Sequence, residues 1–157
     1  KRTSGINSRS LDGGTLFQEK NTYKITKSTI KLVTKKESSE KTINDLIFAY
    51  KVAKHVKSNA IVFVNNKQTI GIGAGQMSRI DSTRVAIMKY KDFFKDRVFV
   101  CASDAFFPFT DNVKKLLKLK CKAIIQPSGS KNDKKIIDYA KKLNSSLYFV
   151  KNRVFKH

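Results

Sequence analysis

Three short segments carry residue types that could hold a flat, anionic ligand. The first, Ser103 to Asn112, follows an apolar run, crowds Phe106, Phe107, Pro108 and Phe109 together, and ends on Asp111 and Asn112. A loop runs over the surface, so rings not drawn into the core beneath it form a platform for a planar group. Any one of these rings could equally plug the core. Asp111 stands at the expected N-cap of a helix and has a second carboxylate oxygen left to offer. The second segment, Pro127-Ser128-Gly129-Ser130-Lys131, precedes another expected helix. Backbone N–H groups and hydroxyls at a positive helix end attract anions, although such a sequence also serves simply as a turn. The third, Lys151 to His157, contains Arg153, whose planar fork suits a phosphate.

Other chemistries drop out on spacing. Gly71, Gly73 and Gly75 imitate a dinucleotide loop, but Gln76 stands where the third glycine of that fingerprint belongs. Cys101 and Cys121 have neither a CxxC spacing nor companion histidines, which argues for buried, reduced thiols and against a metal site. His55 falls near a helix end, where a ring helps the last turn or faces solvent.

The elements that must position these segments follow from periodicity. Apolar residues at Ile43, Leu46, Ile47, Tyr50 and Ala53 predict a helix, with Thr42 as its cap and Asp45 reaching back as in a capping box. Residues 59–64 and 68–73 predict a hairpin around Asn65-Asn66-Lys67. A helix over 78–92, with Ile80, Val85, Met88 and Phe93 as its apolar positions, comes next. Strands over 98–102, 122–126 and 147–150 then alternate with helices over about 112–119 and 131–142. This alternation predicts a layered α/β sandwich with a mixed sheet whose last three strands are parallel, so that all three segments leave its carboxyl edge. Residues 1 to about 23 read as loop with at most one short strand, and 25–33 as a strand. Residues 1–41 are taken as lead-in and linker, and 42–157 as the α/β unit.

The chain has 157 residues and a net charge of +21, carried by 27 lysines and six arginines spread along its length. Nucleic-acid readers lean on Arg forks interleaved with aromatic rings, so this charge reads as solvated lysine faces. A basic nucleic-acid-binding α/β module and a non-catalytic scaffold domain stand as the alternative functions. No run of 18 apolar residues is present, so no membrane span is expected. The chain opens on Lys1 without an apolar signal region, which suggests a piece of a longer cytoplasmic protein.

Taken together and in order, KSNAIVFV (57–64), IGIGAGQMSRI (70–80), ASDAFFPFTDN (102–112), QPSGS (126–130) and RVFKH (153–157) closely resemble one family. It is the bifunctional purine-biosynthesis family that joins phosphoribosylaminoimidazolecarboxamide formyltransferase to inosine monophosphate cyclohydrolase. The resemblance implies the C-terminal part of the formyltransferase region, with a cytidine-deaminase-like fold that holds no zinc. It implies 10-formyltetrahydrofolate as co-substrate, no metal, and a homodimer. By the same resemblance Asn59, Arg79, Phe106 and Arg153 would bind the nucleotide, Asn59 also steadying the transition state. Ile80, Pro108, Phe109, Asp111, Asn112, Ser130 and Lys131 would line the folate site, and His157 would support catalysis. Thr110 stands where the family usually has Arg. The Lys-His pair that manages the proton belongs upstream, so the chain alone is expected to bind poorly and to be inactive.

Overall fold

The computed structural model describes residues 5–157. Its centre is a six-stranded sheet whose runs of β-branched and aromatic residues are buried on both faces. The strands are β3 (Lys31–Leu32), β4 (Ile61–Asn65), β5 (Gln68–Gly73), β6 (Phe99–Ser103), β7 (Cys121–Pro127) and β8 (Ser146–Val150), in the spatial order β3-β8-β7-β6-β4-β5. β6, β7 and β8 are parallel, while β4 runs antiparallel to both β6 and β5. The mixed sheet and the three parallel strands agree with the expectation from the sequence.

Alternation along each strand divides the core. Ile61, Phe63, Phe99, Cys101, Ile124, Leu147 and Phe149 point to one face, where α2 (Arg79–Phe94), α3 (Asp111–Leu117) and α4 (Asp133–Lys142) pack. Val62, Val64, Val100, Ala102, Ala123, Ile125, Tyr148 and Val150 point to the other, where α1 (Glu40–Ala53) lies with Leu46, Ala49, Tyr50 and Ala53 buried. Period-two burial of this kind is what a sheet covered on both faces requires.

The helices differ from the expectation in three instructive places. Ser39, not Thr42, caps α1, its hydroxyl accepting from the Thr42 N–H at 3.3 Å. Asp45 is not part of a capping box. It is buried, and its two oxygens accept from the N–H groups of Asn66 (3.0 Å) and Lys67 (2.8 Å). Those two residues form the β4–β5 turn at φ of 52° and 55°, the left-handed geometry that a two-residue hairpin favours. The third difference is the core face of α2. Met88 and Phe93 are 54% and 76% exposed, and Ser82, Thr83, Ala86 and Tyr90 are buried instead. The cause is on β5: a Cβ on Gly73 would sit 1.8 Å from the Ser82 carbonyl oxygen, and one on Gly71 would sit 2.5 Å from that of Ala86. The helix backbone lies directly on the two glycines, so the small residues Ser82, Thr83 and Ala86 face them, while Tyr90, further along, packs against Phe63 and Phe99. The glycine run is therefore a packing device.

The lead-in also departs from expectation. β1 (Ile6–Leu11) and β2 (Gly14–Glu19) pair as an exposed antiparallel ribbon around Asp12-Gly13, where loop with at most one short strand was expected. Residues 1–4, included in that loop expectation, lie outside the described residues. The strand expected over 25–33 shrinks to β3, because Lys27–Thr29 form a 3₁₀ turn closed by the Thr29 hydroxyl, which bonds both the N–H and the carbonyl of Thr26.

Both cysteines are free and buried, and desolvation raises both thiols above the ordinary value. A raised thiol releases its proton only at higher pH, so at about pH 8.5, the usual midpoint, neither is expected to react with a thiol reagent until denaturant opens the core. Gly73→Ala is expected to destabilise the fold by about 3 kcal/mol or more, since overpacking against rigid backbone has no cheap relief. Denaturant titration would measure that loss.

Candidate functional site

The rim of the site begins where β6 ends. Asp104, the first residue past that strand, is completely buried, and a carboxylate without water must find donors. Arg79, at the first turn of α2, supplies Nη2 to Oδ1 at 2.9 Å. The Ser58 hydroxyl donates to Oδ2 at 2.6 Å. The Asp104 N–H donates to the Ala60 carbonyl at 3.2 Å, and its own carbonyl accepts from Val154 N–H at 3.0 Å. Ser58 in turn bonds Lys156 through main chain and hydroxyl. One residue thus ties together the segment before β4, the start of α2 and the C-terminal arm.

Around this knot lie the residues singled out for a nucleotide. Arg79 Nη1 donates to the Phe106 carbonyl at 3.4 Å, and the Arg153 guanidinium stacks over the Phe106 ring at 4.6 Å. Phe106 is therefore held between two guanidinium groups. Arg153 also reaches the second segment, its Nη2 lying 4.0 Å from where a Cβ on Gly129 would be. Asn59 spends its side-chain N–H groups on the carbonyls of Gln76 (2.9 Å) and Met77 (3.2 Å), which leaves its side-chain oxygen as the remaining polar atom. The arm itself is fastened from beneath: the Tyr50 hydroxyl donates to the Asn152 carbonyl at 2.5 Å, and Asn21 Nδ2 to that of Arg153 at 3.1 Å. Burial, and after it the nearby Tyr23 phenol and Asp104 carboxylate, push the Tyr50 phenol above its ordinary range, so it remains a donor.

The residues singled out for a pterin occupy the next stretch of the same rim. Of the three rings, Phe107 is buried in the core, Phe106 is half-buried and Phe109 is 64% exposed, so the loop contributes both a plug and a platform. Gln126, fully buried, accepts from the Phe107 N–H at 3.1 Å and fixes the loop's middle. Asn132 donates to the Pro108 carbonyl at 2.7 Å and gives its own N–H to the Ser130 hydroxyl at 3.1 Å, joining the first segment to the second. Asp111 is the first residue of α3, one place inside the expected N-cap, and its Oδ1 accepts from the Asn112 N–H and side chain. Asn112 is buried, its side-chain oxygen bonded by Thr83 at 2.6 Å, so it anchors the loop to α2. Ile80 is half-buried beside Arg79, and Lys131 is exposed. The Ser128–Lys131 turn does not hold out a free anion cradle, because Asp133 already accepts the Gly129 N–H at 2.8 Å.

The His157 N–H reaches Gln18 Oε1 at 3.4 Å, and its ring lies 5.3 Å from that of Phe155. His55 is exposed just past α1. Among the described residues no group of three His, Cys, Asp or Glu could hold a metal ion, and no helix is long and apolar enough to cross a membrane. Asp104, Ser58, Gln126 and Asn132 escaped sequence reasoning. Asp104 and Gln126 alone gave a signal, as polar residues directly following or ending an apolar strand.

Comparison with known proteins decides the family. The model of the AICARFT/IMPCHase bienzyme family matches residues 1–89. The bifunctional purine biosynthesis protein PurH of Caulobacter vibrioides is 43% identical over 156 residues, covering 99% of this chain. That of Oceanobacillus iheyensis is 45% identical over 147 residues, covering 94%. The chain belongs to the AICARFT/IMPCHase bienzyme family. It spans about 30% of the length of the curated relatives it matches.

For this member of the AICARFT/IMPCHase family the rim makes one local prediction. Gly129 adopts a φ of +108°, which only glycine holds without strain, and it abuts Arg153. Gly129→Val is expected to expel the Arg153 guanidinium from the Phe106 ring. A crystal structure or nuclear Overhauser contacts of the variant would report whether the stack persists.

Proposed function

We propose that this chain forms the nucleotide- and folate-binding rim of a formyltransferase acting in purine biosynthesis. The reaction would move a formyl group from 10-formyltetrahydrofolate to the exocyclic amine of 5-aminoimidazole-4-carboxamide ribonucleotide, with ring closure to inosine monophosphate carried by another part of the protein. Membership of a family whose relatives are named bifunctional purine biosynthesis proteins supports the pathway. The observation that carries the reading is the Phe106 ring under the Arg153 guanidinium, beside the Arg79–Asp104 pair, at the carboxyl ends of parallel strands. Ligands of open α/β sheets bind at such ends.

Arg153, exposed on a fastened arm, suits the ribonucleotide phosphate, and the partly buried Arg79 suits a polar group of the base. Asn59, with its side-chain oxygen left over, would orient the carboxamide or amine. Phe109 and Pro108 offer an apolar surface to the pterin, with the Asp111 carboxylate, Ser130 and Lys131 at its polar edge and Ile80 beside it. The folate, as co-substrate, supplies the formyl group; this chain's residues hold and orient the two substrates. An amine of low basicity needs a partner for its proton. His157 would support that transfer, and the principal acid/base group would come from outside these residues.

In this reading the sheet with its helices, residues 42–157, is a cytidine-deaminase-like subdomain without metal. Residues 1–41 are its lead-in, lending the edge strand β3. The whole protein would work in the cytoplasm as a homodimer. Arg153→Ala in the complete protein is expected to weaken ribonucleotide binding by about tenfold to a hundredfold, the range of one charge-assisted hydrogen bond, while folate affinity holds. Calorimetric titration with each substrate separates the two, and an unchanged ribonucleotide affinity would overturn the assignment.

A further inference from the structure

We propose that Asp104 is the positioning residue of this rim, setting the geometry of all four nucleotide-facing side chains without touching the nucleotide itself. The inference rests on the functional reading above and adds the device that holds it in register. Two carboxylates are fully or nearly buried among the described residues, Asp45 and Asp104. Asp45 spends both oxygens on the backbone of a turn. Asp104 alone faces a guanidinium, and its two oxygens serve two different parts of the chain.

Each nucleotide-facing residue lies within two links of Asp104, a link being a hydrogen bond or a step along the chain. Arg79 is bonded to it directly. Asn59 lies between Ser58 and Ala60, and both of these bond Asp104, one through its carboxylate and one through its N–H. Phe106 follows it by two residues, and its carbonyl is bridged back by the same Arg79. Arg153 precedes Val154, whose N–H is bonded to the Asp104 carbonyl. Nothing else described on the rim joins all four.

The charge arrangement adds a second consequence. Asp104 neutralises Arg79, whose side chain is only 10% exposed, so Arg79 acts as an oriented donor with its net charge cancelled. Arg153, exposed and stacked on a ring, is left to attract the anionic group. Without the carboxylate, Arg79 would compete with Arg153 for the phosphate, and the base and phosphate ends of the ligand would lose their distinct anchors.

The test is a double-variant cycle in the complete protein, reading 5-aminoimidazole-4-carboxamide ribonucleotide affinity by calorimetry, with a thermal melt for each variant. Asp104→Asn keeps the shape and removes the charge, and is expected to weaken binding by about tenfold. Combined with Arg79→Gln it is expected to cost little more than either change alone, because coupled residues are not additive. Combined with Arg153→Ala it should also fall short of the sum, because loss of the carboxylate frees Arg79 to take up the phosphate that Arg153 would have held. Ser58→Ala releases Oδ2 but leaves the ion pair; its expected loss is about threefold, and it carries the test if Asp104→Asn does not fold. A merely structural aspartate would lower the melting temperature and leave the affinity of the folded protein unchanged. That result, or additivity with Arg79→Gln, overturns the proposal while the functional reading survives. Wild-type protein that does not bind the ribonucleotide overturns both.

Discussion

A charge sealed away from water is the constraint around which this structure is arranged. Removing a carboxylate from solvent costs several kcal/mol even after the protein relaxes, and only close, well-aligned partners offset it. The Asp104 carboxylate meets that demand with a guanidinium at 2.9 Å and a hydroxyl at 2.6 Å, while its main chain is tied separately to Ala60 and Val154. Because its partners come from distant parts of the chain, the folded arrangement that satisfies the carboxylate is also one that assembles the rim. Stability and site geometry are here set by the same bonds.

That knot could not form unless α2 approached the sheet closely enough for Arg79 to reach past the end of β6. Gly71 and Gly73 allow the approach by letting the helix backbone rest on β5 without intervening side chains. Ser82 then donates to the Asn59 carbonyl at 2.7 Å, and Thr83 to Asn112 at 2.6 Å. The small residues of α2 thus do two things: they fill a shallow gap, and they pin segments on either side of the site. The Asp45 contact serves the hairpin in the same spirit, holding the β4–β5 turn from the opposite face.

Much of this was legible in the chain itself. Runs such as Ile61–Val64 and Ala123–Gln126 announce buried strands, and helices between the later strands fix their parallel sense, so the convergence of three segments on one edge follows from pattern alone. What the pattern hides is contact at a distance. Asp104 lies 46 residues from Ser58 and 25 from Arg79, and nothing local marks the pairing. Met88 and Phe93 misled because hydrophobicity normally marks the buried face, whereas here backbone-to-backbone contact selects smaller residues. The β1–β2 ribbon escaped notice because its residues are exposed on both faces, which erases the alternation by which strands are read.

Among the described residues the ribbon pairs with no third strand, and Ile6, Leu11 and Phe17 are exposed along it. Unpaired strand edges invite like strands to add. What opposes this is the surplus of lysine, since two molecules each bearing +21 repel before their backbones can meet. Dissolved ions shorten that repulsion to about 10 Å at 0.1 M. The colloidal behaviour of this chain therefore runs opposite to that of a protein held together by surface ion pairs: dilute electrolyte keeps its copies dispersed, and concentrated electrolyte draws the ribbons together.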